Sequence, residues 1–329
     1  MTALLEAVSE LAQSAALSRY DLPPGVSLTL INHSENTTFR VDAPDGQRWA
    51  LRVHREGYHS HAAIASELCW LMELRNAGTV ITPRPVKGRD GELIQVVSHP
   101  AFAVPRHVVL SEWEGGIEPT MQHELTGPFE TLGRISAAMH LQARSWKRPA
   151  GFHRLTWDFE SSLGDTAPHW GRWRDGIGVT PEITHLFQRS VDCIARHLLA
   201  YGKAPARFGL VHGDTRLANL LVDGDTIKLL DFDDSGFSWF MYDAATPFSF
   251  HETDARLPAL LEAWKEGYRK VSALDQEDEQ EIPTFIMLRR LLLVAWVGSH
   301  AETDLAASLG AQYTWDTCGL CENYLSQMT

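Results

Sequence analysis

Hydrophobic and polar positions change period along the chain, and the changes divide it. Over residues 1–18 the apolar side chains fall at Leu4, Val8, Leu11 and Ala15, a spacing that predicts a helix. From Val26 to His54 the period drops to two. The segments VSLTL, TTFRV and RWALRVH alternate and are rich in β-branched and aromatic residues, so they are predicted strands. Asp45-Gly46, between the last two, suits a tight hairpin turn. Helical spacing returns after Ser60, whose hydroxyl can cap the first turn; it runs to about Asn76 and stops at Gly78. Pro83 and Pro85 break the chain, and two further strands fit 92–98 and 106–112, with His99-Pro100 near the turn between them.

The rest is mostly helical, with periodic segments at about 121–144, 181–201, 254–272 and 280–301. One interruption, FGLVHGDTRLANLLVDGDTIKLLDFDDS at 208–235, places two short apolar runs around Asp223-Gly224-Asp225, a hairpin signature. The charge run Asp275–Glu281 reads as a solvated helix start. The pattern therefore predicts an α+β chain in two lobes. A small antiparallel β lobe with one inserted helix covers 1–112. A connector at about Ser111–Gly116 leads to a larger helical lobe over 113–329.

Composition narrows the function classes. A chain of 329 residues suits two lobes and a substantial core. Its 42 acidic and 29 basic residues give a formal charge of −13, which argues against a general nucleic-acid or anionic-membrane binder but leaves room for a small basic cleft. The best apolar stretch, Leu291–Val297, falls short of the roughly 18 residues of a membrane span. The N-terminus carries Glu6 and Glu10 and no basic leader, so a cytoplasmic protein is expected. Cys318 and Cys321 have the spacing of half a zinc site, but Cys69 and Cys193 stand alone and no second pair completes it.

The chemistry is concentrated in His212-Gly213-Asp214, in Asn219 five residues beyond Asp214, and in Asp231 seventeen beyond it. Phosphoryl transfer from a nucleoside triphosphate needs such a set. One carboxylate positions the attacking hydroxyl and accepts its proton, while an amide oxygen and a second carboxylate hold magnesium against the phosphates. The hairpin between Asn219 and Asp231 returns the two metal ligands to one place. There is no Walker A pattern.

On LVHGDTRLANLL (210–221), IKLLDFDDSG (227–236) and Tyr242-Asp243-Ala244, the chain resembles the aminoglycoside phosphotransferase/choline kinase superfamily. The resemblance extends from about Val26 to Trp296, and LDFDDSGFSW is nearest the branch of bacterial stress-response kinases and type II homoserine kinases. It implies a protein-kinase-like two-lobed fold, with ATP and Mg2+ as cofactors. It also implies Asp214 as catalytic base, Asn219 and Asp231 as metal ligands, and Arg52 in place of the family's phosphate-binding lysine, paired with Glu67. Ser34, Asn36 and Thr37 lie in the phosphate-loop position, which has no glycine here, and the carbonyl of Ser111 and N–H of Trp113 match the hinge that receives adenine, with Leu110 behind them.

Asp233 and Asp234 are candidates to attract an amine on the acceptor, with Asp233 alternatively supporting a second metal or both forming an exposed acidic turn. Arg216 is a candidate to steady a phosphate or the acceptor, or else to form a loop salt bridge. Trp146, Trp157, Trp170 and Trp173 have rings able to stack on a cation, although packing is the commoner use of such residues. Asp243 is expected to brace the catalytic loop, His140 to pack beneath it and His212 to orient it. The expected activity is transfer of the γ-phosphoryl group of ATP to the hydroxyl of a small molecule such as an amino alcohol. The alternatives are a serine/threonine protein kinase and a non-catalytic nucleotide-binding scaffold. No nucleic-acid or membrane partner is expected, and the oligomeric state stays open.

Overall fold

The computed structural model describes residues 3–34 and 36–328; Glu35, inside the proposed phosphate loop, lies outside the described residues. The chain forms two compact units, Met1–Gly115 with Arg148–His153, and Gly116–Lys147 with Arg154–Thr329. The segment Arg148–His153 is tied to the first unit by His153, whose N–H donates to Ser66 Oγ at 2.8 Å.

The first unit is built on a six-stranded antiparallel sheet. Its strands are β1 (Ser27–His33), β2 (Thr37–Asp42), β3 (Arg48–Val53), β4 (Pro85–Val86), β5 (Ile94–Val97) and β6 (Arg106–Glu112). The order is β1-β2-β3-β6-β4, with β5 also paired to β6. Period-two alternation sets the faces: on β2, Thr37, Phe39 and Val41 are buried while Thr38, Arg40 and Asp42 are half-exposed. That buried face meets Leu11, Ala12, Ala15 and Ala16 of α1 (Ala3–Arg19), and Leu51, Val53, Val108 and Leu110 complete the core. Helix α2 (His61–Asn76) is capped as its sequence predicts, Ser60 Oγ accepting the N–H of Ala63 at 3.2 Å.

The second unit carries α3 (Thr126–Ser145), β7 (Leu155–Thr156), α4 (Phe159–Leu163), α5 (Pro181–Tyr201) and β8 (Phe208–Val211). It continues with β9 (Leu220–Asp223), β10 (Thr226–Leu229), β11 (Gly236–Trp239), α6 (Tyr242–Ala245), α7 (Leu257–Arg269), α8 (Gln276–Ser299) and α9 (Asp304–Met328). Glycine lets α3 and α7 approach closely: a Cβ on Gly133 would stand 1.9 Å from the carbonyl of Trp264, and one on Gly267 1.8 Å from that of Glu130. The mixed α+β class is the one the sequence predicts.

Three departures have physical reasons. Helix α9, broken at Gly310, has no counterpart in the sequence pattern, because its buried residues (Ala306, Tyr313, Thr314, Thr317, Cys321, Tyr324, Leu325) are partly polar and its exposed side carries Trp315. The acidic run is not simply solvated. Asp278 accepts from the Tyr201 hydroxyl at 2.5 Å, Glu281 meets His197 at 2.9 Å, Glu277 pairs with Arg207 and Glu279 with Arg269, so it fastens α8 to its neighbours. Lastly, α8 has the length and apolarity of a membrane span, which the run Leu291–Val297 alone conceals. Its most apolar stretch is 78% buried within the protein, as befits a core helix.

Candidate active site

Strand β8 enters the site through buried Leu210 and Val211 and delivers His212-Gly213-Asp214 at its end. The β9–β10 hairpin then folds back, with Asp223 opposite Thr226. The N–H of Leu230 donates to the carbonyl of Asn219 at 2.9 Å, which brings Asp231 beside Asn219. Asp231 has a φ of 58°; among the described residues, Phe250 is the other non-glycine with positive φ. Such a conformation costs on the order of 1 kcal/mol and persists where surrounding structure imposes it, commonly at functional sites.

Below the loop lies a buried polar cluster. Asp243 Oδ2 accepts the His212 N–H at 3.1 Å and meets His140 Nε2 at 3.0 Å, while Oδ1 accepts the Gly213 N–H at 2.8 Å. His140 Nδ1 lies 3.1 Å from the Tyr268 hydroxyl. Burial pushes the His140 pKa down, so the neutral ring donates through Nε2 and accepts from Tyr268. Burial is the largest influence on the Asp243 carboxylate and works against it, but His140, the nearby His212 and the Gly213 N–H together offset this and keep the pKa below the ordinary value. His212 Nε2 donates to the Leu230 carbonyl at 3.0 Å, joining the His212–Asp214 loop to the segment ending in Asp231. Gly213 has a φ of +80°, and a Cβ there would stand 2.9 Å from the carbonyl of Asp234, so only glycine fits between loop and turn.

The Asp214 carboxylate is held from two sides. Arg289 Nη2 donates to Oδ1 at 2.5 Å. Asn219 Nδ2 donates to Oδ2 at 2.7 Å, and Arg216 Nε to the same oxygen at 3.2 Å. Arg289, on α8, is buried and also donates to Ser249 Oγ at 3.0 Å and to the Tyr242 hydroxyl at 3.0 Å. Burial opposes its charge, but Tyr242 and Asp214 more than offset this and raise its pKa. The sequence reading misses Arg289; the one signal is a pair of arginines inside the apolar stretch IMLRRLLLVAW. It also misses buried Arg154, which donates to the carbonyls of Ser235 at 2.7 Å and Phe232 at 3.1 Å, and to that of Asp233. These bonds fix the turn after Asp231.

The remaining sequence-derived residues are placed as follows. In the first unit, Arg52 Nη1 meets Glu67 Oε1 at 3.3 Å, with Glu67 buried. Asn36 Oδ1 accepts the N–H of Arg55 at 3.0 Å, and Ser34 Oγ accepts from Asn32 Nδ2 at 3.2 Å. Ser111 pairs with Ala50 in the sheet. The N–H of Trp113, the expected adenine donor, points at the carbonyl of Arg48, 3.3 Å away, because the β3–β6 ladder extends one residue past Glu112. In the second unit, Asp233 is buried and Asp234 half-buried, its carbonyl accepting from Trp157 Nε1 at 2.8 Å. Trp157 and Trp170 pack edge to face at 5.0 Å, and both are buried with Trp173, so these rings serve packing.

Residues 27–278 match the sequence model of the phosphotransferase enzyme family. The amicoumacin kinase of Bacillus subtilis is 26% identical over 281 residues, 79% of this chain and 76% of that protein. Among solved structures, a microcompartment-associated aminopropanol kinase is 45% identical with a TM-score of 0.89, covering 97% of this chain and 99% of that one. An amicoumacin kinase solved with AMP-PNP, Ca2+ and Ami shares the fold at 19% identity and a TM-score of 0.78, over 99% and 96% of the two chains.

Proposed function

We propose, from the premise that this chain belongs to the phosphotransferase enzyme family and is a kinase, that its acceptor is a small amino alcohol of the aminopropanol type. The observation that carries the reading is the fixed Asp214 carboxylate beside the Asn219–Asp231 pair, in a chain 45% identical along nearly its whole length to an aminopropanol kinase. Asp214 orients the acceptor hydroxyl and takes its proton, a role that depends on position more than on intrinsic basicity. The reaction belongs in the cytoplasm, where ATP is supplied.

The donor set fits magnesium. Asn219 and Asp231 offer an amide and a carboxylate oxygen, hard ligands of the kind this ion prefers. Among the described residues no group of three or more His, Cys, Asp or Glu side chains stands ready to hold a metal alone. That suits an ion completed by phosphate oxygens and water. Bound there, magnesium neutralises charge on the transferring phosphoryl group. Within the first unit, Arg52, held by Glu67, is the positively charged residue that the family resemblance assigns to phosphate contact.

The test is magnesium-dependent ADP release across amino alcohols, aminoglycosides and generic protein substrates, with Asp214→Asn beside the wild type. Turnover stimulated by short amino alcohols and abolished in the variant is expected. Stimulation by protein substrates alone would overturn the acceptor class, and equal turnover in both proteins would overturn the role of Asp214.

A further inference from the structure

The two oxygens of Asp214 are not equivalent. Arg289 grips Oδ1 at 2.5 Å. This guanidinium is locked: it also donates to Ser249 Oγ, to the Tyr242 hydroxyl and, at 3.4 Å, to the carbonyl of Gly213, and it lies 5.2 Å from the Trp170 ring centre. Its side chain is 3% exposed. A buried guanidinium with its fork committed to four acceptors cannot swing aside without leaving buried polar groups unpaired. Oδ2 is held differently. Arg216 reaches it with one N–H from a side chain 29% exposed, so water can take over from Asp214 as partner. Asn219, the other donor to Oδ2, is one of the two proposed metal ligands.

We propose that Arg289 is a positioning residue for phosphoryl transfer, which anchors Oδ1 of Asp214 and so makes Oδ2 the oxygen that meets the acceptor hydroxyl. The inference rests on Asp214 being the base. In the step so defined, the hydroxyl proton passes to Oδ2 as the acceptor oxygen bonds to the γ-phosphorus. The bond from that phosphorus to its bridging oxygen breaks, and ADP leaves with the electron pair. Arg289 touches neither reactant. It fixes the rotation of the carboxylate whose Oδ2 accepts from Asn219 and Arg216, and a reacting group misplaced by about 1 Å can lose roughly a hundredfold in rate.

The experiment compares Arg289→Gln, Arg289→Lys and Tyr242→Phe with Asp214→Asn, measuring kcat and the KM for ATP on protein that melts cooperatively. Arg289→Gln is expected to lower kcat by about a hundredfold, with the KM for ATP changed less than about threefold. Arg289→Lys, which keeps the charge and loses the fork, is expected to fall between Gln and wild type. Tyr242→Phe removes one acceptor that locks Arg289 and leaves Asp214 untouched, so a loss of a few-fold in kcat is expected; it and the lysine variant decide the matter if Arg289→Gln does not fold. The double variant Asp214→Asn/Arg289→Gln is expected to be no slower than Asp214→Asn alone. An inactive Asp214→Asn beside unchanged kcat in the Arg289 and Tyr242 variants would overturn this inference alone. An active Asp214→Asn would overturn the base assignment and this inference with it.

Discussion

Removing the Asp243 carboxylate tests the support beneath the loop that carries Asp214. Asp243 and His212 are fully buried, and Asp243 accepts from His140 Nε2 and from the backbone N–H groups of His212 and Gly213. Asp243→Ala strands both backbone donors where water cannot reach them. Each such orphan costs about 1–3 kcal/mol, so the expected loss is about 4 kcal/mol, the size of breaking a buried charge pair. Asp243→Asn is milder. With its oxygen in the Oδ2 position it still accepts from His212 and His140, and it strands the Gly213 N–H alone, for about 1–3 kcal/mol. Urea unfolding at 25 °C, followed by tryptophan fluorescence, measures both; kcat is expected to fall in the same order because the loop that carries Asp214 loses its anchor. A loss under about 1 kcal/mol in Asp243→Ala, or an Asn variant no more stable than the Ala variant, would refute the reasoning.

Three further outcomes are expected. Acid lowers stability through His140: its folded pKa lies below the ordinary 6.5, so the unfolded chain takes up a proton below that pH that the folded chain refuses. Urea midpoints at pH 7.5 and 5.5 should show the drop, and His140→Gln should flatten it. Asp243 adds to this only at more acid pH, because its depressed pKa gives stability that is present above 3.8 and lost as pH falls through the folded value. Glu252→Gln leaves Arg290, otherwise bonded to Glu252 Oε2 at 2.6 Å, a buried charge without its partner; thermal melts should report a loss of about 3–5 kcal/mol, partly recovered by adding Arg290→Met. Gly213→Ala forces a left-handed φ and a 2.9 Å approach to Asp234, so melts should show at least about 1 kcal/mol lost, with kcat reduced because the residue adjoins Asp214.

Much of this was legible in the sequence because its causes are local. The β lobe follows from alternation, the Ser60 cap from one hydroxyl, and the approach of Asn219 to Asp231 from a hairpin whose turn residues are printed between them. The bracing by Asp243 and His140 also appears where the motif order implies it. The misses are relations between distant segments. The hydrogen bond from the Trp113 N–H to the carbonyl of Arg48 is one, set by a strand more than sixty residues earlier. Arg154 grips three carbonyls some eighty residues away, and backbone acceptors leave no residue-type signal in a sequence.

Helix α8 shows why the Asp214 anchor stayed hidden. A helix apolar on all sides reads as core, and periodicity assigns it no functional face. Its two arginines are adjacent, so they leave the helix about 100° apart and serve different neighbours. Arg289 meets Asp214, Tyr242 and Ser249. Arg290 meets Glu252, the hydroxyl of Thr317 and the carbonyl of Tyr313, the last two on α9. A charge inside such a helix is affordable only if a partner waits on the face it leaves by, so an Arg-Arg pair demands two separate polar clusters. One of those clusters here contains the proposed base, and the other binds the C-terminal helix. The step from Arg289 to Arg290 therefore ties α9, the element sequence pattern did not reveal, to the geometry of Asp214.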